Sequence, residues 1–198
     1  MAAVRSQVLE VIRDAYPETF EGLAASKPLG ENIFSGPTPH PNEVLNFFIR
    51  QNLTSALPMA YYMATRRGLS SLMDRHLPRS ATLSPEILQS AIGGLMALRE
   101  VEFEETHDLV FGKDSCFTKG CPSRYPTTFR KALDRIMGSP RPGTEVLEVP
   151  KFFEDCGGGV PRVDPGVCSG CLRGWCSGHA ELRERVWAML PGVFGLGG

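Results

Sequence analysis

All six cysteines of this 198-residue chain lie between positions 116 and 176, and the first 115 residues hold none. That clustering points to one local device. Cys116-x4-Cys121 and Cys168-x2-Cys171 form two closely spaced pairs, which together can supply four thiolates to a single tetrahedral Zn2+. Soft thiolates suit zinc, and four protein ligands leave no open position for a substrate, so such a site staples structure and does not catalyse. Gly170 inside Cys-Ser-Gly-Cys lets the backbone curl, and the spacing predicts a turn there. Cys116, Cys121, Cys168 and Cys171 are therefore the expected ligands of a structural zinc. Cys156, Cys176 and His179 are alternates, because Cys176-x2-His179 adds a wholly local Cys3His possibility to the C-terminal pair.

Hydrophobic residues make up 42% of the chain and charged residues 22%, the ordinary balance of a soluble globular protein long enough to bury a core. A formal net charge of -1 gives no field that recruits phosphate backbones or anionic lipid. The basic residues Arg124, Arg130, Lys131 and Arg135 are mixed with Asp134, so nucleic acid gains no support from composition. No apolar run is long enough to span a bilayer, and the N-terminus lacks the charged start and apolar core of a signal peptide. Without a secretory signal, clustered cysteines suit metal in a reducing compartment better than disulfides. The expected location is intracellular, in cytoplasm or nucleus, with no membrane partner.

Helical periodicity dominates. Val8, Leu9, Val11 and Ile12 form one stripe, and Pro17 opens a short segment over 18–25. After a Gly/Pro/Ser-rich loop from Lys27 to Pro41, residues 42–51 predict a buried helix, and 58–68 another. Ser84-Pro85-Glu86 is a helix start, with a capping serine and proline at the first position. Apolar spacing continues from there to about Phe103, and Gly93-Gly94 within it marks a close crossing with a neighbour. Residues 126–137 and 179–190 predict two further helices, separated by an irregular stretch over 138–165. Strand-like alternation is weak, with 146–149 the best candidate. The apolar tail from Leu190 to Leu196 must dock on its own body or on a partner. Trp175, Trp187, Tyr61, Tyr62, Phe47 and Phe48 are interface anchors or, more simply, core.

Enzymatic readings find little to stand on. A dithiol redox motif needs a strand before it in a βαβ unit, whereas Cys168 follows a Pro/Gly-rich stretch. Glu104-x2-His107 has di-iron spacing but no second copy, and the run of Glu100, Glu102, Glu104, Glu105 and Asp108 reads as a solvated helix end. No nucleophile elbow, phosphate loop or dinucleotide fingerprint occurs, and sequence places no base beside Ser70 or Ser71.

Several segments in succession resemble the region downstream of the BTB (POZ) domain in fungal BTB domain-containing proteins. The residues that carry this are Tyr16-Pro-Glu-Thr-Phe20, Val44-Leu-Asn-Phe-Phe-Ile-Arg-Gln-Asn-Leu53, Ala56-Leu-Pro-Met-Ala-Tyr-Tyr62 and Leu83-Ser-Pro-Glu86. The two cysteine pairs and Arg185-Val-Trp-Ala-Met-Leu-Pro-Gly-Val-Phe-Gly-Leu196 complete the succession. The resemblance implies a helical, BACK-like extension without catalytic activity. The BTB fold itself is absent from the sequence, so BTB-mediated dimerisation is not expected.

The expected fold is all-α: a BACK-like helical bundle over 1–110 and an irregular, zinc-stapled, cysteine-bearing arm over 111–198 packed on it. The expected function is a non-enzymatic, adaptor-like protein–protein interaction module. A zinc-dependent nucleic-acid-binding or transcriptional regulator and, behind it, a thiol redox protein are the alternatives.

Overall fold

The computed structural model describes residues 16–25, 39–111, 147 and 169–197, and all regular structure among them is helical. Among the described residues six α-helices run in chain order: α1 (Phe20–Ala25), α2 (Pro41–Arg50), α3 (Leu57–Thr65), α4 (Leu69–Leu72), α5 (Pro85–Phe111) and α6 (Ser169–Val193). Two 3₁₀ turns, Thr54–Ala56 and Arg79–Ala81, connect them. The expected helices at 8–12 and 126–137 lie outside the described residues, as does all of the expected strand except Leu147, which sits in a turn.

Local chemistry explains where the helices begin. At the start of α2, His40 does the work usually given to serine or threonine. Its Nδ1 accepts from the Asn42 N–H at 3.2 Å, while the His40 N–H donates to Glu43 Oε2 at 3.2 Å. Pro41 occupies the first turn, where its missing N–H costs nothing. At the start of α5, Ser84 Oγ accepts from the Ile87 N–H at 3.4 Å, in accord with the Ser-Pro-Glu signal. Gly68, with φ of +80°, separates α3 from α4, a conformation that L side chains rarely adopt.

Helix α2 is one-sided rather than apolar all round. Leu45 and Phe48 are buried, whereas Phe47 and Arg50 face outward. Of its two buried asparagines, Asn42 and Asn46, the second stitches the 3₁₀ turn that follows α4 onto the bundle. Asn46 Nδ2 donates to Ser80 O at 2.8 Å and Thr82 O at 3.0 Å, and Ser80 Oγ donates to Glu43 Oε1. Asn46→Ala is expected to cost about 1–3 kcal/mol, because both carbonyls lose their donor at once. Urea unfolding with an unchanged slope and a lowered midpoint is the check.

The core is centred on α3, clasped by α2, α5 and α6. Tyr62, Phe48, Leu45, Met59, Leu95, Leu98, Leu190 and Phe194 are its largest fully buried side chains near the crossing. Tyr16 meets Phe48 edge-on at 5.1 Å between ring centroids.

The α5–α6 crossing shows why Gly94 is glycine. An ideal Cβ at position 94 would lie 2.1 Å from Phe194 Cε1, whereas at Gly93 it would meet nothing within 4 Å. The expected close crossing thus belongs to Gly94 alone. Phe194 is 2% exposed and stacks on Tyr61 at 5.0 Å with 20° between the planes, so the apolar tail docks on its own body. The chain then leaves α6 through Gly195 at φ +69°, with the Leu196 N–H on Pro191 O at 2.7 Å and the Gly195 N–H on Gly192 O at 3.1 Å. This pair of bonds is a Schellman cap.

Helix α6 is longer than the periodicity implies. It starts at Ser169, ten positions before the expected His179. Gly170, Gly174 and Gly178 lower its intrinsic helicity and hide it from pattern reading. Their spacing of four places all three on one side of the helix, where bare backbone permits close approach.

Candidate functional site

The four expected zinc ligands are placed unequally. Cys116, Cys121 and Cys168 lie outside the described residues, as does the alternate Cys156. The backbone of Cys171 is described, and it belongs to the first turn of α6. The expected Cys-Ser-Gly-Cys turn is therefore a helix start.

Cys171 and His179 are eight positions apart on α6, which at 1.5 Å per residue separates their backbones by about 12 Å along the axis. Of the alternate Cys3His set, Cys168 lies outside the described residues, as do the side chains of Cys171 and Cys176. Among the described residues, no three His, Cys, Asp or Glu side chains converge on a metal position.

His179 does not open a helix, as the expected 179–190 segment implies. It lies in the middle of α6, 8% exposed, and its pKa is lowered from 6.5 to about 4, first by burial and second by the Arg183 guanidinium one turn on. Burial takes water from the imidazolium, so the neutral ring is favoured.

Arg183 also takes part in a contact that sequence reasoning missed. Leu147, the one described residue between α5 and α6, is 0% exposed. Its N–H donates to Tyr62 Oη at 3.2 Å, and its carbonyl accepts from Arg183 Nε at 2.7 Å. Both backbone groups of a buried leucine are thus satisfied by side chains of α3 and α6, with no strand or helix of their own. Arg183 is half-buried, its pKa lowered by desolvation, and its guanidinium sits 5.8 Å from the Phe20 ring centroid. Phe20 in turn lies 6.5 Å from Trp187. Tyr62 and Tyr61 are buried, which makes them core residues before anything else.

One pairing has the outline of a nucleophile and its base. Ser71 Oγ is 3.4 Å from His40 Nε2. The tautomer argues against proton abstraction. Nδ1 already accepts the Asn42 N–H, so in the neutral ring Nε2 carries the hydrogen and donates to Ser71. Burial, then Arg67, holds the His40 pKa below 6.5, which keeps that neutral form. The contact fastens α4 to the start of α2.

Glu104 is exposed on the distal part of α5, as a solvated helix end requires, and the His107 side chain lies outside the described residues. Met96 and Phe103 are exposed on the same helix, as are Leu69 and Met73 on or beside α4. No helix among the described residues is long and apolar enough to cross a membrane. In comparisons with known proteins, no family model matches the chain, and no curated protein or solved structure does.

Proposed function

We propose that this chain is a non-enzymatic protein–protein interaction module of adaptor type. A helical body carries a cysteine-bearing arm, and a structural zinc held by Cys116, Cys121, Cys168 and Cys171 fastens the two together. The observation that carries this reading is the seating of Leu147 between Tyr62 and Arg183. Side chains of the body grip the backbone of a distant segment, which is how a helical scaffold holds a peptide. The resemblance to a post-BTB, BACK-like region supports the same class. Zinc suits the arm energetically, since metal binding by small zinc peptides contributes about 10–16 kcal/mol, enough to order a Gly/Pro-rich stretch.

Elemental analysis of the purified chain tests the staple. One zinc per chain is expected, lost in the Cys168→Ser and Cys171→Ser variants together with part of the cooperative unfolding transition. A metal-free chain with six titratable thiols and the same stability after chelation rejects it.

A further inference from the structure

We propose that the exposed surface around α4 is a docking site for an acidic, leucine-bearing segment of a partner protein. Its contacts are the guanidinium groups of Arg67, Arg75 and Arg79 and the side chains of Leu69 and Met73. The inference rests on the reading of the chain as an interaction module and names a surface and a partner chemistry for it.

Charge is segregated along this part of the chain. Residues 51–85 hold four arginines and one acid, Asp74, whereas residues 86–108 hold six acids and one arginine. After Glu86 the next acid on α5 is Glu100, about 22 Å along the helix from Pro85 and more than two Debye lengths away at physiological salt. The acids of the distal helix therefore leave the turn that carries Arg79 positive, although the whole chain has a net charge of only -1.

The start of α2 gathers these arginines at one end of the bundle. Arg67 acts electrostatically on His40, as does Asp74, the neighbour of Arg75. Glu43 accepts from the His40 N–H through Oε2 and from Ser80 Oγ, next to Arg79, through Oε1. Both nearby carboxylates thus serve other donors, since Asp74 Oδ1 accepts from the His76 N–H at 2.8 Å. Arg67, Arg75 and Arg79 are exposed, and none of them forms an ion pair among the described residues.

Apolar side chains lie between the cations. Leu69 is 45% and Met73 54% exposed, four positions apart and so on one side of α4 and its C-cap. Arg67 precedes this pair and Arg75 follows it. Guanidinium matches planar carboxylates, and the unbranched methionine adapts to an aliphatic group. A segment in which leucine stands among carboxylates complements both. A nucleic acid gains less, because its bases stack on aromatic rings and the exposed apolar residues here are aliphatic.

The test titrates the full chain into a fluorescein-labelled peptide of Glu-Glu-Leu repeats, read by fluorescence anisotropy. Saturable binding is expected, weakened by added salt because the charges are exposed. Arg67→Gln, Arg75→Gln and Arg79→Gln combined are expected to weaken it about tenfold, the summed worth of three exposed ion pairs. Leu69→Ser with Met73→Ser is expected to weaken it about fivefold through lost apolar contact. All five side chains are exposed, so both variants keep the wild-type unfolding transition. Should the triple variant lose it, Arg75→Gln alone takes its place, with a loss of about twofold. No saturable binding overturns the proposal, as does equal affinity for the glutamine variant or for a peptide of Gln-Gln-Leu repeats. A single-stranded oligonucleotide of equal charge that binds as tightly as the peptide overturns it too. Zinc content is measured on the same samples. A zinc-bearing chain that ignores the peptide rejects the surface and leaves the staple intact, and a zinc-free chain that binds it does the reverse.

Discussion

Phe194→Ala is expected to destabilise the fold by about 3–5 kcal/mol, the range for truncating a fully buried phenylalanine. The residue has 2% exposure and two partners that cannot follow a shrinking side chain, the Tyr61 ring and the bare backbone at Gly94. Equilibrium urea unfolding, with the slope held in common, reads the loss directly. Gly94→Ala in the wild-type background is expected to cost about 1–3 kcal/mol through overpacking, since its Cβ falls far inside van der Waals contact with the Phe194 ring. In the double variant the new methyl enters the space the ring has left. The two costs are then less than additive, and the double-mutant cycle reports a favourable coupling. Strict additivity would mean that the ring and the glycine do not touch in solution.

Acidification is expected to remove about 3 kcal/mol of stability through His179. In the unfolded chain its imidazole takes a proton near the ordinary value of 6.5, whereas in the folded chain it stays neutral down to about 4. Between those two values the unfolded state binds more protons, so stability rises with pH across that window. The contribution is fully present above 6.5, declines as pH falls, and is exhausted below about 4. A gap of this width, at about 1.4 kcal/mol for each pH unit, gives the stated magnitude. His40, also held below 6.5, adds to the slope in the same direction, because its protonation places a hydrogen where the Asn42 N–H now donates. Urea midpoints at pH 7.5, 5.5 and 4.0 are expected to fall steadily for wild type and much less for His179→Gln. Parallel pH profiles for the two proteins would refute the assignment.

These two residues also mark what was legible in the sequence and what was not. The Ser84-Pro85 start of α5, a close crossing at Gly93-Gly94 and the docking of the apolar tail on its own body or a partner follow from local rules; the structure bears out the first, narrows the second to Gly94 and resolves the third in favour of the chain's own body. Each depends on neighbours in sequence or on the simple fact that apolar surface must be covered. The start of α6 escaped because Gly170, Gly174 and Gly178 argue locally for a loop. His179 was misplaced with it: a residue taken to open a helix is polar and exposed, while the same residue ten positions in can be turned inward. The contact at Leu147 was beyond any pattern. It joins Tyr62, 85 positions earlier, and Arg183, 36 positions later, to the backbone of one residue whose own neighbourhood carries no regular structure signal. The zinc set rests on cysteine spacing, of which the described residues supply only the backbone of Cys171.

The contact between Gly94 and Phe194 also has a consequence in time. Its two residues are 100 positions apart, and the face of α5 that holds Leu95 and Leu98 is covered by a helix made later. On a ribosome adding about 5–20 residues per second, the stretch from Phe111 to Phe194 takes roughly 4–17 s to emerge. Throughout that interval α5 presents an uncovered apolar face to solvent or to any factor waiting at the tunnel mouth. Yield in cells is therefore governed by translation speed and holdase supply as well as by the stability of the finished fold.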